Sequence, residues 1–311
     1  MSFSFLKSLG LGADKNPILL SIHNNSVMAA QLSFKNDQPE LIGFNQAEIK
    51  EEIMKEGKIY NPDAFQELLK KLLKEAEPSP IKSKSALINI PFELIYPFLK
   101  DYSSKMTKDI ARDSMYDFVE KNSPVPFDGL SIHEKTYSND YFTYGVVGVT
   151  KSWEEKIAKI CKNIGIKNCD FIPEPYLRIL LSKQDLPDNF ALLSFNEDRV
   201  FVSLFHNKIL YDSYFFKFSM SEDGQLNCPV CFKEFLISRE GFENQFKKDI
   251  TNVFFVGFPK DFQKHIGDYI KSKGLKYNFI NADESNHYNL YKTDHDLITL
   301  LGLTENLLQN K

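Results

Sequence analysis

Hydrophobic and polar positions repeat one arrangement twice along the chain. Ile18-Leu19-Leu20-Ser21-Ile22 is an apolar run, His23-Asn24-Asn25 a polar turn, and Val27 to Leu32 a second apolar run. The same order recurs at Ala191 to Phe195, Asn196-Glu197-Asp198 and Val200 to Phe205, at a constant offset of 173 residues. Short apolar runs flanking an Asn/Asp/Ser turn predict a β-hairpin. Each copy continues into a third strand. Leu41 to Phe44 follows Lys35-Asn36-Asp37, and Ile209 to Phe218 follows His206-Asn207-Lys208. Two three-stranded meanders at one offset predict an internally duplicated protein.

The parallel extends past the strands. Asn61-Pro62-Asp63 opens a helix with Asn as N-cap and Pro in the first turn, and Phe65, Leu68, Leu69, Leu72 and Leu73 share one face. Ala86 to Ile90 then reads as a buried strand. In the second half, Phe232 to Lys248 is helical in pattern and Val253 to Gly257 is the matching strand. A helix stopped by Gly274, a strand from Leu275 to Ile280 and a helix from Asp294 to Leu308 complete it. Each half therefore reads βββ-α-β-α, which predicts an α/β fold with a mixed sheet covered by helices.

A block from Pro91 to Ile166 breaks the symmetry. It predicts a strand at Pro91 to Leu99, a helix carrying Ala111, Met115, Phe118 and Val119, and strands at Leu130 to Tyr137 and Tyr141 to Val149. Ser152-Trp153-Glu154-Glu155 has the form of a capping box for a helix closed by Gly165. The expected partition is an N-terminal segment at 1–16 and a first half at 17–90 and 167–186. An inserted α/β subdomain occupies 91–166 and a second half 187–311.

Composition narrows the functional classes. The 311 residues carry 38 Lys+Arg and 42 Asp+Glu, a formal charge of −4, which argues against a nucleic-acid partner held by phosphate neutralisation. No run of 18 apolar residues is present, so no membrane-spanning helix is expected. The first dozen residues hold Lys7 as a lone cation and no clear cleavage site, which argues against a secretory signal. The chain reads as cytosolic. Arginine occurs only at 112, 178, 199 and 239, so the sequence offers few bidentate clamps for phosphate or carboxylate.

Isolated chemical motifs are few. Cys228-Pro229-Val230-Cys231 is a lone C-x-x-C, and Cys161 and Cys169 lie too far off in sequence to complete a zinc set by spacing. The six histidines form no metal-binding spacing, and no P-loop, dinucleotide fingerprint or nucleophile elbow occurs. No catalytic residue and no metal ligand is therefore expected. Glu174 reads as a carboxylate at a helix N-terminus. The aromatic strand Tyr211, Tyr214, Phe215, Phe216 and Phe218 reads as core, with an interaction edge as its alternative.

Taken together, the duplicated halves and the insertion resemble the actin/hexokinase superfamily, with its ribonuclease-H-like halves, and within it the FtsA and PilM branch. Local segments similar to PilM proteins are Ser26-Val27, Gly57-Lys58-Ile59-Tyr60-Asn61-Pro62, Pro124-Val125-Pro126-Phe127, Gly165-Ile166 and Glu174-Pro175-Tyr176-Leu177. In that superfamily the hairpin turns hold nucleotide phosphates as D-x-G-[TS] and a late G-G meets the adenosine. Here the corresponding positions are Ser21, His23 and Asn24, then Ser194 and Asn196, then Gly257-Phe258. Both aspartates are serines and only Gly257 of the key glycines remains. ATP and Mg²⁺ are accordingly disfavoured as cofactors, and a pseudo-ATPase is expected.

The resemblance further implies a scaffold of a type IV pilus platform, cytoplasmic and peripheral to the inner membrane. Its partners would be the N-terminal peptide of a PilN-like membrane protein, received by the inserted subdomain, and the pilus motor ATPases. The candidate docking residues are Phe92, Leu94, Tyr96, Tyr141 and Tyr144. Two other readings stand beside it. One is an active actin-like ATPase with atypical turns. The other is the cytoplasmic component of a type II secretion platform, a domain that normally continues into a membrane span.

Overall fold

A computed structural model describes residues 16–35, 38–55, 57–103, 105–138, 141–180, 185–196, 199–218, 227–280 and 298–309. Ile18–Ile22 (β1), Ser26–Lys35 (β2) and Gln38–Glu48 (β3) form an antiparallel meander, with Leu20 opposite Ala29 and Ala30 opposite Phe44. A small hairpin, Met54–Lys55 (β4) and Lys58–Ile59 (β5), leads to the helix Pro62–Lys74 (α1). Asn61 caps α1 as its sequence predicts: its Oδ1 accepts from the Ala64 amide at 3.0 Å. Glu77–Pro78 (β6) extends the sheet beyond β3, and Ser85–Ile90 (β7) lies parallel beside β1. All five residues of β1 and all six of β7 are buried, as central strands covered on both faces must be.

The insertion starts with a single 3₁₀ turn at Phe92–Leu94 where a strand was expected, and then forms Ile95–Ser103 (β8). Lys108–Asn122 (α2), Leu130–Ser138 (β9) and Tyr141–Thr150 (β10) complete it. Its antiparallel sheet has the order β8-β10-β9, and its own core holds Ala111, Met115, Val119, Tyr144 and Val146.

The next helix, Lys151–Asn163 (α3), corrects the expected boundary. Trp153, Ile157, Ile160 and Cys161 face the core of the first half, against α1 and the strand Asn168–Pro173 (β11). An amphipathic helix goes where its apolar stripe is covered, and here the large sheet covers it. Its expected capping box does not form. The helix starts two residues earlier, with Thr150 in the cap position and no side-chain cap bond, and Glu154 pairs with His133 at 2.8 Å. Gly165 does close it, at φ 95°. Glu174–Leu180 (α4) follows β11.

The second half repeats the first. Phe190–Asn196 (β12), Arg199–His206 (β13) and Ile209–Lys217 (β14) form the meander, and Cys228–Cys231 (α5) and Lys233–Phe246 (α6) follow. Asn252–Val256 (β15) then lies parallel beside β12, and after Lys260–Ser272 (α7) the strand Lys276–Ile280 (β16) lies parallel beside β15. The order β14-β13-β12-β15-β16 matches β3-β2-β1-β7-β11 strand for strand. The protein thus has two α/β halves of one topology.

The last helix, Ile298–Gln309 (α8), departs from the expected partition. Leu300, Leu301, Leu303 and Leu307 join the first-half core, and α8 packs on α4 and β1. Phe201, Phe205, Phe254 and Val256 of the second sheet belong to that same core. The other face of the second sheet is filled by rings, among them Phe232, Phe235, Phe255 and Phe258.

Candidate functional site

The first hairpin turn ends β1 at the mouth of the cleft between the halves. Asn89, fully buried on β7, grips the end of β1 at both backbone groups. Its Oδ1 accepts from the Ile22 amide at 2.7 Å and its Nδ2 donates to the Ile22 carbonyl at 3.0 Å. The turn closes with the His23 amide donating to the Ser26 carbonyl at 2.8 Å. Inside it, Ser21 Oγ and His23 Nε2 are hydrogen-bonded at 3.0 Å, and both residues are buried. Asn24 faces sideways: its Nδ2 donates to Glu93 at 2.9 Å and its Oδ1 accepts from the Gly57 amide at 2.7 Å.

Glu174, the first residue of α4, lies under this turn and is 2% exposed. One oxygen, Oε1, accepts from Arg178 Nη2 at 2.6 Å, Arg178 Nε at 3.0 Å and Thr299 Oγ1 at 2.6 Å. His23 Nδ1 stands 3.9 Å from the same atom. Burial alone would raise the Glu174 carboxyl. The charges of Arg178 and His23 and the donated hydrogen bonds outweigh burial and hold it below the ordinary carboxylate range. Glu93 has weaker support, and burial lifts its carboxyl above that range.

These groups surround a cavity of about 200 Å³ lined also by Glu51, Met54, Lys55, Phe92, Arg199 and Phe201. It is smaller than the roughly 300–1,000 Å³ of typical ligand pockets. Acidic and basic side chains both line it, so it presents no single-sign field.

The second turn is built differently. Ser194 is buried and its hydroxyl has no hydrogen-bond partner among the described residues. The Asn196 side chain and residues 197–198 lie outside the described residues. Gly257 ends β15 at φ 77°, a left-handed conformation that suits glycine. Phe258 turns into the core, with its ring 5.2 Å from Phe255 and 5.4 Å from Phe195. The structure therefore gathers Ser21, His23 and Asn24 into one site with Glu174, and places Phe258 in a separate ring cluster.

Of the expected docking residues, Phe92, Leu94 and Tyr144 are 6%, 7% and 0% exposed, and Phe92 lines the cavity. Tyr96 is half-buried, and the Tyr141 side chain lies outside the described residues. Sequence reasoning missed Arg178, Arg199, Glu93, Asn89 and Thr299. The scarcity of arginine was the available signal, since two of the four arginines line this one cavity.

The C-x-x-C does open a helix, yet both thiols are buried, and burial pushes the Cys228 thiol up to about 11, away from reactivity. Among the described residues no group of three His, Cys, Asp or Glu is placed to hold a metal ion. No helix among them is long and apolar enough to cross a membrane.

Two topologically equivalent α/β halves meeting at a cleft define the actin-like ATPase fold. Comparison with solved structures agrees. The chain is similar to PilM in a PilM-PilN type IV pilus biogenesis complex, with a TM-score of 0.67 at 13% identity over 94% of this chain and 98% of that one. It is also similar to the cytoplasmic domain of EpsL, an inner membrane component of the type II secretion system of Vibrio cholerae. There the TM-score is 0.51 at 9% identity, over 93% and 95% of the two chains. No family model and no curated protein matches the sequence.

Proposed function

We propose that the chain is a PilM-like cytoplasmic scaffold of a type IV pilus platform that works without MgATP. It docks the N-terminal peptide of a PilN-like membrane protein through the insertion and connects that protein to the pilus motor ATPases. The observation that carries this reading is the near-complete coverage of both chains in the match to the PilM-PilN complex.

A role without MgATP is supported by the residues of the site. Serine stands at the motif aspartate position of both turns, Ser21 and Ser194, and the Glu174 carboxylate is committed to Arg178 and Thr299. A hydrated Mg²⁺ takes oxygen ligands, and a carboxylate already neutralised by a guanidinium is a poor one. These residues do not fit a magnesium nucleotide, and no chemical step is assigned to one.

On this reading the docking face is β9, an edge strand of the insertion's sheet. An extended peptide can add to such a sheet edge through its backbone while side-chain pockets set specificity. The test is a titration of a fluorescent peptide from the N-terminus of the membrane protein encoded beside this chain. Micromolar saturation is expected, and no binding at high micromolar concentration would count decisively against the reading. A type II secretion platform role is the second reading, favoured by the EpsL match. The active-ATPase alternative requires a thermal shift on adding MgATP.

A further inference from the structure

A continuous run of packed rings and guanidinium groups crosses the cleft beside the cavity. Arg178 Cζ lies 5.2 Å from the Phe92 ring centroid, and Phe92 stacks on Phe201 at 4.8 Å and 23°. Phe201 meets Phe215 at 5.6 Å, and Arg199 Cζ lies 4.9 Å from the Phe215 centroid. The run begins on α4 and the 3₁₀ turn of the first half and ends on β13 and β14 of the second. A guanidinium stands at each end.

We propose that this run is a latch that keeps the mouth of the cleft shut with the chain's own side chains, independently of any bound ligand. Guanidinium faces and aromatic faces attract, and aromatic pairs contribute beyond the area they bury. Glu174 fixes the inner arginine, so one end of the latch is anchored in the first-half core. At the other end Arg199 of the second half lines the same cavity as Glu93 of the insertion. Phe92 and Phe201 are buried while Phe215 is 48% exposed, so the latch opens from the Phe215–Arg199 end.

The latch does not rest on the pilus reading, and peptide binding can fail while the latch stands. Hydrogen exchange on the full chain tests it. Phe215→Ala and Arg199→Ala remove the outer, solvent-facing end. Exchange at 92–94 and 199–202 should accelerate several-fold, up to about tenfold, while β1 and β7 stay protected. MgATP should leave the wild-type pattern unchanged. Unaltered exchange at both segments in both variants would overturn the proposal, as would MgATP slowing exchange there in the wild type. A double-mutant cycle of Phe92→Leu and Phe201→Leu adds a second measurement. Coupled effects support the latch, and strictly additive ones overturn it.

Discussion

Arg178 directs both Nη2 and Nε at a single oxygen of Glu174, at 2.6 and 3.0 Å, one helical turn along α4. The pair is buried, and Thr299 from the far end of the chain donates to the same oxygen. Such a pair adds little over a well-packed apolar replacement, but removing one member strands a charge. Arg178→Ala should therefore cost about 3–5 kcal/mol, read as a lower urea midpoint at constant slope. The sign with pH follows from the depressed Glu174 carboxyl. Its contribution is full above the unfolded value near 4.3 and disappears as pH falls through the lower folded value. The wild-type advantage over the variant should shrink below pH 4, and an advantage constant from pH 7 to pH 3 would contradict the assignment.

The hairpins were legible because a period-two apolar run and a polar turn are local properties. The allegiance of α3 and α8 was not. Trp153 and Leu303 mark apolar faces, but nothing local says which sheet will cover them, and both joined the first-half core. The burial of Phe92, Leu94 and Tyr144 was illegible for the same reason, since an apolar residue reads alike whether it faces a partner or the interior. The positions of Ser21 and His23 beside the cleft could be read from the repeat. Their companions Glu174, Arg178 and Thr299 could not, because Thr299 lies 125 residues from Glu174.

Glu93 should be a liability. Burial raises its carboxyl, so ionisation costs the folded state more than the unfolded one. Stability is then lost as pH rises from the unfolded value through the folded one, the reverse of Glu174. Glu93→Gln keeps an oxygen for the Asn24 amide and removes the charge. A Tm above that of the wild type is expected at pH 7. At pH 4 the difference should vanish, and a lower Tm at pH 7 would refute the argument.

The insertion is fastened to the second half by a polar junction. His206 Nε2 lies 2.8 Å from Asp101 Oδ2, Thr143 Oγ1 donates to Asp101 at 2.5 Å, and Asn207 Nδ2 donates to Thr143 at 2.7 Å. The His206 ring stacks on Phe246 at 4.1 Å, which fixes its plane. Burial would raise Asp101, yet the bonds from His206 and Thr143 prevail and hold it below its usual value. Asp101→Ala leaves His206 and Thr143 without their acceptor and should cost about 1–3 kcal/mol. Limited proteolysis should then release the insertion faster at pH 7 than in the wild type, with the gap closing below pH 4. Equal cleavage rates at pH 7 would show that the junction contributes nothing.

Gly302 sets two tendencies against each other. In the middle of α8, alanine in place of glycine would gain about 1 kcal/mol from helix propensity. A Cβ there, however, would stand 2.7 Å from the Leu177 carbonyl oxygen and 2.9 Å from its carbonyl carbon. Both are backbone atoms of α4, which cannot swing aside as a flexible side chain can. The two helices would have to separate, loosening Leu300 and Leu303 in the core and pulling Thr299 away from Glu174. Overpacking of this kind costs about 1–3 kcal/mol, and the lost hydrogen bond to a charged group adds about 1.5–3 kcal/mol. The clash should win. Gly302→Ala is expected to lower the urea midpoint while raising the helicity of an isolated 298–309 peptide, and a midpoint equal to or above wild type would show that α4 and α8 are not closely packed.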